Sequence, residues 1–175
     1  MEATDSVGDH RSRATGHMVS CAVVTLSDSR GEADDRSGAY LREAVHAAGH
    51  RLAGYRLIRD EPDQLRAAID ALERLRAQVI LCSGGTGIAP RDRTVDTLRD
   101  LWERQLPGFG ELFRQLSFAE IGPAAMLSRA DAGLLRHMVI FALPGSTPAV
   151  RLAWERLIAP ELAHLVSLLP PAPTS

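Results

Sequence analysis

The chain has 175 residues, 45% of them hydrophobic and 24% charged, with a formal net charge of −2. That length lets a single domain bury roughly 70% of the surface its unfolded chain exposes, so neither a disulfide framework nor a structural metal is needed for stability. The balance excludes a disordered chain and a membrane protein, and the slight negative charge gives no general attraction to nucleic acid. Any anion site must therefore be local. All 20 basic residues are arginine. The lack of lysine excludes a Walker phosphate loop, Schiff-base chemistry and ligases that carry a nucleotide on lysine.

Residues 1–17 are polar without apolar periodicity and are expected to form a disordered tail; residues 170–175 are Pro-rich and read as a second tail. The domain is expected over 18–169. No apolar stretch is long enough to span a membrane and no signal-peptide core is seen, so the expected setting is cytoplasmic. Cys21 and Cys82 lack metal-type spacing and read as small buried hydrophobes in a reducing compartment.

In chain order, 19–26 is an almost continuous apolar run, the pattern of a strand buried on both faces. A helix follows over 37–48, with Leu41, Ala44, Val45 and Ala48 on one face and Gly49 at its end. A strand is expected over 51–58, a helix from Pro62 to about Leu75, and a strand over 79–82. The alternation implies right-handed crossovers and a mainly parallel sheet covered on both faces. Beyond it come helices over 94–104 and 108–115, a strand over 138–143, and helices after Pro148 and Pro160. The span 118–133 is ambiguous between a packed loop and a short strand near Ala124 to Leu127.

Three turns follow predicted strands and hold glycine or hydroxyl residues: Ser27-Asp28-Ser29, Ser83-Gly84-Gly85-Thr86-Gly87 and Pro144-Gly145-Ser146-Thr147. In open parallel sheets such turns line the crevice beyond the strand carboxyl ends, where ligands bind. Ser83 to Gly87 is the strongest, because its glycines permit positive φ and let backbone N–H groups approach a phosphate without lysine. A tight strand-to-helix connection is the alternative. Arg91 and Asp92 nearby supply a cation for phosphate and a carboxylate for a metal. Asp60, just past a strand, either caps the next helix or joins Asp92 in holding Mg²⁺. The polar run 31–38 reads as an exposed loop or a flexible lip, and Phe109, between Gly108 and Gly110, as a hydrophobic staple or a lid over a planar ligand.

Taken together, Thr25-Leu26-Ser27-Asp28, Asp35-Arg36-Ser37-Gly38, the 83–87 loop with Arg91-Asp92, Leu106-Pro107-Gly108-Phe109-Gly110-Glu111, Leu127-Ser128-Arg129 and Leu143-Pro144-Gly145-Ser146 resemble the MoaB/MogA family of molybdenum cofactor biosynthesis. The likeness spans about 19–169 and is closer to the MoaB branch. It implies a three-layer α/β/α sandwich of the molybdopterin-binding-domain type, assembled as a homotrimer or homohexamer. The implied activity is Mg-ATP-dependent adenylylation of molybdopterin with release of pyrophosphate. The alternative is a non-catalytic molybdopterin-binding carrier or regulatory module. On the enzymatic reading Ser83, Gly84, Gly85, Thr86 and Gly87 bind phosphate. Asp60 and Asp92 are catalytic and hold Mg²⁺, while Ser27, Asp28, Gly145 and Ser146 contact substrate. The helix around Ala149 to Ile158 looks more apolar than one buried face requires, which suggests a subunit contact.

Overall fold

The computed structural model describes residues 17–29 and 31–171. The tails expected at the two ends lie largely outside the described residues. Strands β1 (Ser20–Leu26), β2 (Arg51–Ile58), β3 (Val79–Ser83) and β6 (Met138–Leu143) carry the apolar runs read from the sequence. Two others complete a six-stranded sheet of order β2-β1-β3-β6-β5-β4: β4 (Arg104–Gln105) and β5 (Asp131–Leu135). The first four are mutually parallel, whereas β5 runs antiparallel to β6 and β4 antiparallel to β5. Register is continuous except at β2, where Ala53 bulges between the partners of Cys21 and Ala22.

Helices α1 (Arg36–Ala47), α2 (Pro62–Arg74), α3 (Thr94–Leu101), α4 (Pro107–Ile121), α5 (Thr147–Ala153) and α6 (Ala159–Ser167) cover the two faces. Alternate residues of the central strands divide into two cores, as a sheet of period two requires. Cys21, Val23, Leu81 and Phe141 pack with residues of α1, α4, α5 and α6, and Ala22, Val24, Ile80 and Ile140 with residues of α2 and α3. The three-layer α/β/α sandwich expected from the pattern is therefore present. Cys21 and Cys82 are free and fully buried, and burial pushes each thiol up to about 12.

Several boundaries differ from the periodicity. The helix expected over 94–104 stops at Leu101, because Trp102 turns into the core against Gly133 and the chain continues as β4. The helix expected over 108–115 runs on to Ile121. The ambiguous stretch near Ala124 to Leu127 is a 3₁₀ segment (Gly122–Leu127), and the strand it was weighed against lies later, at β5. Asp131 opens that strand as a buried carboxylate, bonded by the Arg99 Nε at 3.0 Å and by the other guanidinium nitrogen at 2.8 Å.

The helices after Pro148 and Pro160 form one run, α5 passing through a π turn (Trp154–Ile158) into α6. Proline cannot donate to the carbonyl four residues back and its ring collides with it, and a π turn just before Pro160 opens the space. Val150, Leu152, Ala153, Trp154 and Ile158 of this run are all buried within the one chain. Most of the breadth expected to meet a second subunit is thus used inside the chain, with Leu157 alone among its large apolar residues left partly exposed. Large apolar side chains are instead exposed on α4 and the 3₁₀ segment, at Leu112, Phe118, Ile121 and Met126.

Candidate functional site

Strands β1, β3 and β6 end side by side, with Thr25 opposite Ser83 and Ser83 opposite Leu143. The three turns that follow them converge. They line a crevice of about 430 Å³ bounded by Leu26, Ser27, Ser29, Gly84 to Gly87, Asp92, Ser128 and Pro144 to Ser146. Gly84 donates its N–H to the Leu143 carbonyl at 3.0 Å, which fastens the glycine loop to the β6 turn. Gly84 and Gly85 have φ of +112° and +62°, a region L side chains rarely enter. A methyl group on Gly85 would also overlap Asp60 Oδ2 and Thr94 Oγ1, and one on Gly87 would lie 2.6 Å from Asp92 Oδ2. Both acidic residues thus lie directly against the glycine loop.

Asp60 stands behind Gly85 rather than on the crevice lining. Its Oδ1 accepts the Thr94 hydroxyl at 3.3 Å. Burial raises its pKa above the ordinary carboxylate value; the Thr94 bond opposes this, and the nearby charges of Asp92 and Asp28 add to it. Asp92 closes a turn by accepting the Ala89 N–H through Oδ2 at 2.9 Å, while its own N–H returns to the Ala89 carbonyl. Arg36, Arg59, Arg91 and Arg93, which follow the ends of β1, β2 and β3, are exposed and have no carboxylate partner among the described residues.

The remaining expected site residues divide. Gly145 and Ser146 line the crevice beside Gly84, as does Ser27. Asp28 is absent from that lining, and its Oδ1 accepts the Asp60 backbone N–H at 3.3 Å, tying two turns together. Ser83 is buried beneath the loop, its hydroxyl without a hydrogen-bond partner. The hydroxyl of Thr25, on the neighbouring strand, is buried and unpartnered too. Ser29, Thr94 and Ser128 were not foreseen at the site. Ser29 and Ser128 each lie in a motif already singled out, whereas nothing local in the sequence points Thr94 toward Asp60.

The polar run 31–38 is neither wholly exposed nor a lip. Residues 31–34 are exposed, but Asp35, Ser37 and Gly38 are buried where α1 begins. Asp35 caps the helix by accepting the Gly38 N–H at 2.9 Å, and it accepts the Tyr55 hydroxyl at 2.6 Å. Ser37 donates to the Gly145 carbonyl at 3.0 Å and lies 3.2 Å from the Thr147 hydroxyl. Phe109 does not reach the crevice. It packs on Phe113 and edge-on to Phe141, at 6.2 and 5.0 Å between ring centroids, beside a separate apolar cavity of about 680 Å³. That is the staple, not the lid.

A sheet covered on both faces, with a lysine-free glycine loop and flanking aspartates at its strand ends, defines an open α/β domain with a crevice suited to an anionic ligand. Residues 6–164 match the family described as a probable molybdopterin binding domain. The chain belongs to that family, and within it to the MoaB/MogA proteins of molybdenum cofactor biosynthesis. It is 44% identical over 163 residues to Molybdenum cofactor biosynthesis protein B of Bacillus subtilis, covering 92% of this chain and 95% of that one. A crystal structure of a molybdenum cofactor biosynthesis protein B superposes with a TM-score of 0.83 at 42% identity, covering 86% of this chain and 95% of that one. The tungsten cofactor synthesizing protein MoaB from Pyrococcus furiosus gives 0.81 at 33% identity, covering 86% and 96%.

Proposed function

We propose that this chain is a molybdopterin adenylyltransferase. The observation that carries the reading is the contact of Asp60 and Asp92 with a glycine loop whose backbone borders an open crevice. In the reaction a terminal phosphate oxygen of molybdopterin bonds to the α-phosphorus of ATP. The bond from that phosphorus to the bridging oxygen breaks, and its electron pair leaves with pyrophosphate. The nucleophile is already an anion, so no lysine, protein nucleophile or general base is required. Positioning and charge neutralisation supply the rate.

The Ser83 to Gly87 loop offers backbone N–H groups to the phosphates, with Arg91 and the other unpaired arginines at the strand ends favouring a polyanionic substrate. Ser27, Gly145 and Ser146 contact substrate from the other turns, and Asp28 acts by fixing the Asp60 turn. The donor set for Mg²⁺ is the pair of carboxylates, Asp60 and Asp92, that flank the glycine loop. Mg²⁺ bound to phosphate substrates commonly uses one or two carboxylates, the rest of its shell being phosphate and water. Asp60 and Asp92 would hold it, and it would neutralise phosphate charge.

The assembly is proposed as a homotrimer or homohexamer in the cytoplasm, with the exposed Leu112, Phe118, Ile121 and Met126 supporting a contact between copies. No helix among the described residues is long and apolar enough to cross a membrane. The deciding experiment incubates the protein with Mg-ATP and molybdopterin and follows pyrophosphate. Release that requires both substrates supports the enzyme; tight pterin binding with no release replaces it with the carrier or regulatory module.

A further inference from the structure

One residue of the Leu127-Ser128-Arg129 motif has more bonds to the glycine loop than any site residue named above, yet it does not line the crevice. The backbone N–H of Arg129 donates to the Thr86 carbonyl at 2.9 Å. Its Nε donates to the Gly87 carbonyl at 2.8 Å, and one guanidinium nitrogen to the Asp92 carbonyl. The other terminal nitrogen bonds both oxygens of Asp96 on α3, at 2.8 and 2.9 Å. The ion pair alone would matter little, because Asp96 is 60% exposed and exposed pairs contribute about 0–1 kcal/mol. The backbone contacts are what distinguish this side chain.

A trans peptide unit points its carbonyl and the following N–H in opposite directions. Each carbonyl drawn toward Arg129 therefore turns the next N–H away from it. By the same geometry the Ile88 N–H faces away from the guanidinium, and the Gly87 N–H away from the Arg129 backbone N–H. Two residues beyond the Asp92 carbonyl, the Thr94 hydroxyl donates to Asp60 Oδ1 at 3.3 Å. The Arg129 contact thus anchors the backbone that carries Asp92 and, two residues on, the Thr94 hydroxyl that holds Asp60.

We propose that Arg129 is a positioning residue that sets Asp60, Asp92 and the second half of the glycine loop in one fixed arrangement. Its catalytic consequence rests on the adenylyltransferase reading; its effect on the loop does not. Lysine cannot replace it, because a single ammonium lacks the planar fork that serves two carbonyls and a carboxylate together. Asp96 orients the fork without touching the loop.

The test uses the full chain without ligand, by hydrogen exchange resolved to single amides. Arg129→Met should accelerate exchange at Ala89 and Asp92 by about 10- to 100-fold, and Arg129→Lys by nearly as much, while β1 and β6 amides keep their rates. Asp96→Asn should give a smaller acceleration. Arg99→Met removes the ion pair between α3 and Asp131 at the start of β5, and should leave those two amides unchanged. In the pyrophosphate assay Arg129→Lys should lower kcat by at least about 10-fold, with the KM for molybdopterin within about twofold. Should Arg129→Met fail to fold, Arg129→Lys and Asp96→Asn carry the same comparison. Unchanged loop exchange in Arg129→Lys, or equal acceleration by Arg99→Met, overturns the proposal. A wild-type protein that releases no pyrophosphate defeats the adenylylation reading alone, and the exchange result still decides Arg129.

Discussion

Two walls of the crevice carry aspartates, and they treat them in opposite ways. On the α1 side Asp35 is 1% exposed, and its two oxygens are each taken, one by the Gly38 N–H and one by Tyr55. The Tyr55 hydroxyl is pushed up to about 12, by burial first and by its bond to Asp35 second, so it remains a donor at neutral pH. On the α2 and α3 side Asp60 and Asp92 are only half-buried and abut a loop made of glycine. The first carboxylate is consumed in holding the wall, whereas of the second pair Asp92 lines the open crevice and Asp60 stands directly behind its glycine loop. Residue type does not separate the two kinds of aspartate; their burial and their nearness to the glycine loop do.

The sharpest way to break this contrast is Gly85→Val. The added side chain meets Asp60 and Thr94 at a positive φ, so nucleotide binding should vanish in calorimetry, with a stability loss of about 1–3 kcal/mol. ATP affinity equal to wild type would show that the loop is not the phosphate site. Next in size, Asp92→Asn and Asp60→Asn should each lower pyrophosphate release by at least about 100-fold, with the far-ultraviolet dichroism of the folded chain intact. Near-normal turnover in both would remove them from the chemistry.

Asp35→Asn should do the reverse. It should lower stability in urea by about 1–3 kcal/mol and leave the turnover of the folded fraction within about threefold, since a buried bond pair is disturbed and no ligand group is lost. A large loss of turnover at unchanged stability would erase the distinction between the walls. The smallest effect concerns pH. Because the folded protein holds the Asp60 pKa above its unfolded value, the unfolded chain gives up this proton first as pH rises. Ionisation of Asp60 therefore costs stability above its folded pKa, and the cost is relieved as pH falls through it. Asp60→Asn should accordingly match or exceed wild type in thermal stability at neutral pH and lose that margin in acid. A variant less stable than wild type at neutral pH and equal to it in acid would reverse the sign.

The parts of this arrangement legible from sequence are those written locally. β1, β3 and β6 are buried on both faces, so their residues had to be apolar in a run, and glycine has few other reasons to appear three times in five residues after such a strand. Asp60, Asp92 and the 83–87 loop followed from that placement. β5 escaped because its first residue is Asp131, an acceptable start only once Arg99 arrives from a different element. Asp35 escaped for the same reason: within 31–38 it looks like one more polar residue, and its partner Tyr55 lies across β2. The breadth of the helix after Pro148 misled because the π turn before Pro160 changes which faces point inward, and helical spacing cannot reveal such a turn.

The bulge at Ala53 has a consequence for how copies of this chain can meet. β2 is the outer strand of the parallel half, eight residues long, and so the most obvious place for a foreign strand to add. The break in regular spacing at Ala53, with Arg51 and Arg56 exposed on either side of it, makes that rim a poor template for another backbone. The other rim is a two-residue strand, too short to recruit one. Among the described residues both borders of the sheet are thus guarded against runaway edge-to-edge aggregation.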